Sequence, residues 1–161
     1  MTSRRLPLLI AFAVVAVDQL TKWWAVARLP DNPIELIPGV LFLRYVTNSG
    51  AAFGLVPGAG SFIALGAIAA IVLIVLVVHR LGGRLEAVAM GLVLGGALGN
   101  LGDRLFRGPG LLDGSVVDFV DFEYFPAFNV ADSAITVGAA LALLAAFVLS
   151  RTGRGDAEPA A

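Results

Sequence analysis

Four carboxylates crowd into one stretch of this chain, SVVDFVDFEYFPAFNVADSAI from Ser115 to Ile135: Asp118, Asp121, Glu123 and Asp132. The residues that follow, Ile135 to Leu149, are almost all apolar. An acid held at the edge of a hydrophobic span is costly unless it is hydrogen-bonded, paired or able to share a proton, which makes such acids functional candidates. Asp118 sits inside the apolar run VVDFVDF, where loss of water favours the neutral carboxyl. Asp132 falls near the start of an expected helix, where the dipole favours negative charge. Two acids in opposed surroundings can hold one proton between them. The ionised member takes a proton from water while the protonated member polarises a carbonyl. That is aspartyl hydrolysis of a peptide bond, and it needs no metal, Ser, Cys or His. Proton relays and transporters also bury acids, so on these residues alone a hydrolase and a transporter stand level.

The composition says what surrounds the acids. Of 161 residues, 58% are hydrophobic and 14% charged, against about a quarter charged in soluble domains, so the chain reads as a membrane protein. Its length suits one compact bundle. A net charge of -1 offers nucleic acid no basic surface. The absence of cysteine excludes a disulfide framework, a thiol nucleophile and a thiolate metal site. The single histidine, His79, leaves no histidine-based metal or triad chemistry. Neither a metal nor a cofactor is expected.

The expected fold class is a mainly α membrane protein, a four-transmembrane-helix bundle with a small extracytoplasmic β element. One membrane-embedded domain is expected over 1–152, with spans near 6–27, 61–79, 85–103 and 131–150. The basic start, the apolar run Leu6–Val17 and the A-x-A-like Ala25–Ala27 also fit a cleaved signal peptide. Asp18 and Lys22 interrupt that pattern, however, and a run to Ala27 is long enough to cross a bilayer of about 30 Å. Asp18 and Lys22 are four apart and can pair on one helix face, beside Trp23 and Trp24 at the interface. The region 29–60 is punctuated by proline and glycine around GVLFLRYV and reads as a β element followed by the loop TNSGAAFGL. Gly91, Gly95 and Gly99 form small-xxx-small repeats in span three, a signature of close helix packing. A loop over about 105–130 is expected to carry the acids. The tail over 153–161 reads as disordered.

Basic residues set the expected orientation. Arg4, Arg5, Arg80, Arg84, Arg151 and Arg154 share one side, and Arg28, Arg44, Arg104 and Arg107 the other. By the positive-inside rule both termini are cytoplasmic. Asp18, Lys22, Asn48, Asn100, Asp103, Arg104, Asp118, Asn129 and Asp132 then converge on the extracytoplasmic side, where they can line one polar pocket.

Asp18-Gln-Leu-Thr-Lys22, Asn48-Ser-Gly-Ala-Ala-Phe53, Gly95-Gly-Ala-Leu-Gly-Asn-Leu-Gly-Asp-Arg104, Val117-Asp118-Phe119 and Phe128-Asn-Val-Ala-Asp132-Ser resemble the blocks of lipoprotein signal peptidase (signal peptidase II). They occur in order from span one through span four, which makes the resemblance specific where any one block would be weak. The resemblance implies a bacterial inner-membrane aspartyl endopeptidase. That family cleaves prolipoproteins on the amino side of a cysteine already carrying diacylglycerol. It implies that Asp118 and Asp132 are the catalytic pair. Asn48, Asn100, Asp103, Arg104 and Asn129 would line and brace the site, with Asp18 and Lys22 as a supporting pair. VDFVDF offers two acids; Asp118 is chosen because it follows the Val-Val of the family pattern, and Glu123 reads as a solvated loop charge. The expected partners are the diacylglyceryl-prolipoprotein and membrane lipid, with the chain acting as a monomer. Residues 29–60, Phe53 among them, are expected to clamp the substrate from above.

Other chemistries meet specific obstacles. A proton-coupled transporter on Asp18, Asp103 and Asp132 predicts mid-span acids and an internal repeat, whereas these acids cluster at helix ends and no repeat is visible. A Ser-Lys peptidase would need a neutral Lys22 beside Ser49 or Ser133, but Asp18 already stands at pairing distance. An assembly subunit would leave the polar cluster without a role. Gly102-Asp103 is not embedded in the G-x-G-D motif of presenilin-like proteases.

Overall fold

The computed structural model describes residues 5–50, 60–78, 83–112 and 114–155. It contains four helices, α1 (Arg5–Arg28), α2 (Gly60–Val77), α3 (Arg84–Phe106) and α4 (Val130–Gly155). Between them lie four strands, β1 (Ile34–Ile37), β2 (Leu41–Asn48), β3 (Val116–Phe122) and β4 (Phe125–Phe128). Among the described residues, Arg5–Arg28, Arg84–Phe106 and Val130–Arg151 are long and apolar enough to cross a membrane, and Ile63–Val77 is a shorter apolar helix. The fold is thus a mainly α membrane protein with a small antiparallel sheet. Phe53, Arg4, His79 and Arg80 lie outside the described residues, as does most of the connection between α2 and α3.

The bundle is built on small residues. α3 is central and packs against each of the other three helices. Its buried positions are Ala87, Ala89, Gly91, Leu94, Gly95, Gly96, Ala97, Gly99, Asp103 and Arg104. Large side chains face outward instead: Leu8, Leu9, Phe12 and Trp23 on α1 and Leu143 and Phe147 on α4 are exposed. In lipid no hydrophobic force draws helices together, so close backbone approach and polar contacts do that work. The expected glycine repeat performs this role. A side chain at Gly95 would strike Ala11 and Val14 of α1, and one at Gly99 would lie 2.5 Å from Asp18 Oδ2. Gly96 faces the other way and lies against the Ala131 carbonyl and Ile135 of α4.

That contact gives a prediction. The Ala131 backbone cannot yield as a flexible side chain would, so Gly96→Leu should cost more than the ~1–3 kcal/mol of ordinary overpacking. Gly66→Ala, where the added methyl meets nothing within 4 Å, should cost nothing. Thermal unfolding of both variants in detergent is the check; equal midpoints would refute the packing account.

Two expectations are corrected. The acidic stretch is not a loop: Val116–Phe122 and Phe125–Phe128 are strands, and the sheet runs β1-β2-β3-β4 with every neighbouring pair antiparallel. The cause is visible in VVDFVDF, whose β-branched and aromatic residues suit a half-buried pleated surface. Val117 and Phe119 pack with Ala25 and Leu29 at the end of α1, seating the sheet on the bundle. The second correction concerns the tail: the fourth span runs Val130–Arg151, close to the expected 131–150, but its helix continues to Gly155, into the tail expected to be disordered over 153–161. Arg151 stacks over the Phe147 ring at 4.5 Å, a pair four residues apart that supports the last turns.

Candidate active site

Asp118 lies on β3, and strand alternation sends Asp121 to the opposite face. There Asp121 pairs with Arg44, which also reaches Glu123 at 3.6 Å, and Glu123 is 47% exposed. Asp118 instead points into the bundle and is buried. Val116 pairs with Asn48 of β2, so Asn48 and Asp118 are diagonal neighbours on one face. The Asn48 amide donates to Asp118 Oδ2 at 3.3 Å.

Asp132 is fixed by the start of its own helix. Asn129 caps α4: its Oδ1 accepts the Asp132 N–H at 3.0 Å, while the Asn129 N–H donates to Asp132 Oδ2 at 3.2 Å. This reciprocal pair is a capping box formed by Asn and Asp. The other Asp132 oxygen, Oδ1, accepts from Asn100 Nδ2 at 2.8 Å. Asn129 also reaches across the site. Its Nδ2 donates to Asp118 Oδ1 at 2.6 Å and to Asn100 Oδ1 at 3.2 Å. One asparagine therefore touches both acids, one through its side chain and the other through its backbone.

Burial, and next the charge of Asp132, push the Asp118 carboxyl up to about 6 against the pull of the Asn129 and Asn48 amides and of Lys22. Both effects disfavour a second negative charge beside the first.

Next to the acids lies an ionic cluster whose centre, Lys22 with Asp18 and Asp103, is fully buried. Lys22 Nζ is 2.9 Å from Asp18 Oδ2 and 2.9 Å from Asp103 Oδ2, and it donates to Asn100 Oδ1 at 2.9 Å. Asp18 Oδ1 accepts the Ala131 N–H at 3.0 Å, and Asp103 Oδ2 accepts the Val117 N–H at 3.1 Å. Two members were not anticipated. Gln19 donates to Asp18, to Asp103 and to the Gly99 carbonyl, and Arg107 Nε donates to Asp103 Oδ1 at 2.8 Å. Gln19 could have been noticed as the polar neighbour of Asp18 inside an apolar helix. Arg107 stands four residues from Asp103 and could have been noticed by that spacing.

Asp132, Asn48, Asn100 and Arg104 line one end of a cavity of about 380 Å³. Its other walls are apolar: Ile63, Ala67 and Ala70 of α2, Val93 and Ala97 of α3, and Ile135 of α4. Arg104 is 5% exposed, and its Nη1 has no hydrogen-bond partner among the described residues. A buried donor without an acceptor is costly unless something else fills the place. The structure thus brings all nine sequence-derived site residues into one connected region. It offers two acids of unequal environment, an unsatisfied guanidinium donor, and a largely apolar space lined by one of the acids, Asp132.

Comparison with known proteins shows the family of the chain. A family profile described as Signal peptidase (SPase) II matches residues 10–148. The lipoprotein signal peptidase of Rhodococcus jostii (strain RHA1) is 47% identical over 139 residues, covering 86% of this chain and 70% of that protein. That of Symbiobacterium thermophilum is 43% identical over 155 residues, covering 92% and 98%. A solved structure titled as a bacterial membrane enzyme superposes with a TM-score of 0.78 at 31% identity, covering 96% of this chain and 94% of its own. The match runs from the first helix through the last, and on it the chain belongs to the signal peptidase II family, whose members are membrane-bound peptidases.

Proposed function

We propose that this chain is an aspartyl endopeptidase that removes the signal peptide from diacylglyceryl-modified prolipoproteins, cutting on the amino side of the lipidated cysteine. The observation that carries the reading is Asn129, which holds Asp118 at 2.6 Å and Asp132 at 3.2 Å while capping α4. Asp132 takes a proton from a water whose oxygen attacks the scissile carbonyl carbon, and Asp118 gives its proton to the carbonyl oxygen. The tetrahedral diol then collapses: the C–N bond breaks, Asp132 returns its proton to the leaving amine, and Asp118 regains one from a diol hydroxyl. Arg104 Nη1 donates to a substrate carbonyl. The apolar cavity accepts the membrane-embedded part of the substrate, which enters sideways from the bilayer. No metal or cofactor takes part. The chain acts as a monomer in the bacterial inner membrane, with both termini cytoplasmic and the site on the extracytoplasmic side.

The test is cleavage in vitro of one precursor with and without the diacylglyceryl group, followed by mass analysis of the products. Cleavage of the modified form alone, before the cysteine, is expected. Equal cleavage of both forms would overturn the substrate assignment.

A further inference from the structure

Lys22 lies between two carboxylates, Asp18 and Asp103, that each hold the backbone next to one of the site's acids. The carboxylate of Asp18 holds the N–H of Ala131, the residue before Asp132, and that of Asp103 holds the N–H of Val117, the residue before Asp118. Lys22 lies at 2.9 Å from both carboxylates. Its third contact is Asn100 Oδ1. That oxygen accepts from Lys22 and, at 3.2 Å, from Asn129 Nδ2, so the Asn100 NH₂ is left to face Asp132, to which it donates at 2.8 Å. An ammonium has three donors and no acceptor, and here all three are used on three groups that each lead to the dyad.

We propose that Lys22 is the positioning residue that sets the separation of the two acids, by pinning the carboxylates that hold the backbone ahead of each and by turning the Asn100 amide toward Asp132. This rests on the aspartyl reading. Lys22 touches neither substrate nor the reacting atoms; it acts through Asp18, Asp103 and Asn100. A bundle held together by helix packing alone would tolerate its loss, provided that the buried charge is balanced.

The experiment uses the full chain in lipid. Lys22→Met alone leaves two buried carboxylates facing each other, so the informative variant is Lys22→Met combined with Asp18→Asn. The pair removes one charge of each sign, and the amide oxygen that replaces the Asp18 carboxylate can still accept from the Ala131 N–H. The paired variant is expected to unfold within a few degrees of the parent and to keep KM within about threefold. Its kcat should fall on the order of 100-fold, the effect of misplacing a catalytic group by about 1 Å. The split between kcat and KM, measured on folded protein, is a readout that plain destabilisation would not move, because lost folded protein lowers the amount of active enzyme without misplacing the acids. Lys22→Arg keeps the cation, but its planar fork cannot serve three diverging acceptors, and a comparable kcat loss is expected. Turnover within threefold of the parent in either variant, or a loss carried by KM with kcat unchanged, overturns the proposal. Asp118→Asn is assayed beside them. If it retains turnover, the aspartyl reading itself falls, an outcome distinct from a silent Lys22 variant.

Discussion

Asp118→Asn and Asp132→Asn are each expected to lose cleavage by about 10⁴-fold in kcat, the upper range for removing a positioned acid or base. Neither amide can carry the proton that must pass between water, carbonyl and leaving amine. The two variants should differ in stability, which separates their roles. Both oxygens of Asp132 accept N–H bonds, from Asn100 and from Asn129. An amide there sets one of those donors against a donor, so Asp132→Asn should cost about 1–3 kcal/mol. Both oxygens of Asp118 likewise accept amide N–H bonds, from Asn129 and Asn48, so an amide there meets the same cost. Asp118 differs in that its pKa is raised from 3.8 to about 6 in the folded chain. Its contribution to stability is fully present below pH 3.8 and is lost as pH rises through about 6. Above that, Asp118→Asn removes a charge the fold disfavours, so the variant should gain roughly 1–3 kcal/mol relative to the parent between pH 4 and pH 8. Unfolding midpoints of parent and variant at pH 4 and pH 8 measure this difference. A stability difference unchanged between the two, or a variant that still cleaves, would contradict the assignment.

The second large effect is on rate. Cleavage needs Asp118 protonated and Asp132 ionised, so kcat/KM should fall about tenfold per pH unit above the apparent pKa of the pair in the free enzyme. With Asp118 raised to about 6, that descent begins near pH 6. Steady-state rates between pH 5 and 8 on the modified precursor test it. A profile flat across this interval would mean that no group with this pKa governs turnover. Because burial raises the value first and Asp132 second, neutralising Asp132 in Asp132→Asn should lower the Asp118 pKa in part while burial keeps it above its ordinary range, visible in the carboxyl infrared band.

Much of the fold could be read along the chain. Runs such as Ser61–Val78 and Ile135–Leu149 are continuous and apolar, and a hydrocarbon core about 30 Å thick turns such runs into helices because every backbone group must bond within its own segment. The Gly91, Gly95 and Gly99 spacing marked a packing face for the same reason: four residues is one helical turn. The sheet was harder. Val116–Phe122 carries strand-forming residues, but its partner β2 lies some seventy positions earlier, and no local pattern states that pairing. The distance matters because strand register is fixed only when both partners are present.

Residue type and order by themselves determined that this is a membrane bundle carrying acids at its polar end, since composition and span length answer to the bilayer alone. Which acids meet was decided by tertiary structure. Asp118 and Asp121 are chemically alike and three residues apart, yet the pleat sends one inward to Asn129 and Asn48 and the other outward to Arg44. The Lys22 hub was likewise out of reach of sequence spacing. Asp18 was visible as its partner at four residues, but Asp103 and Asn100 join it only because glycines let α3 lie against α1 closely enough for one ammonium to reach all three.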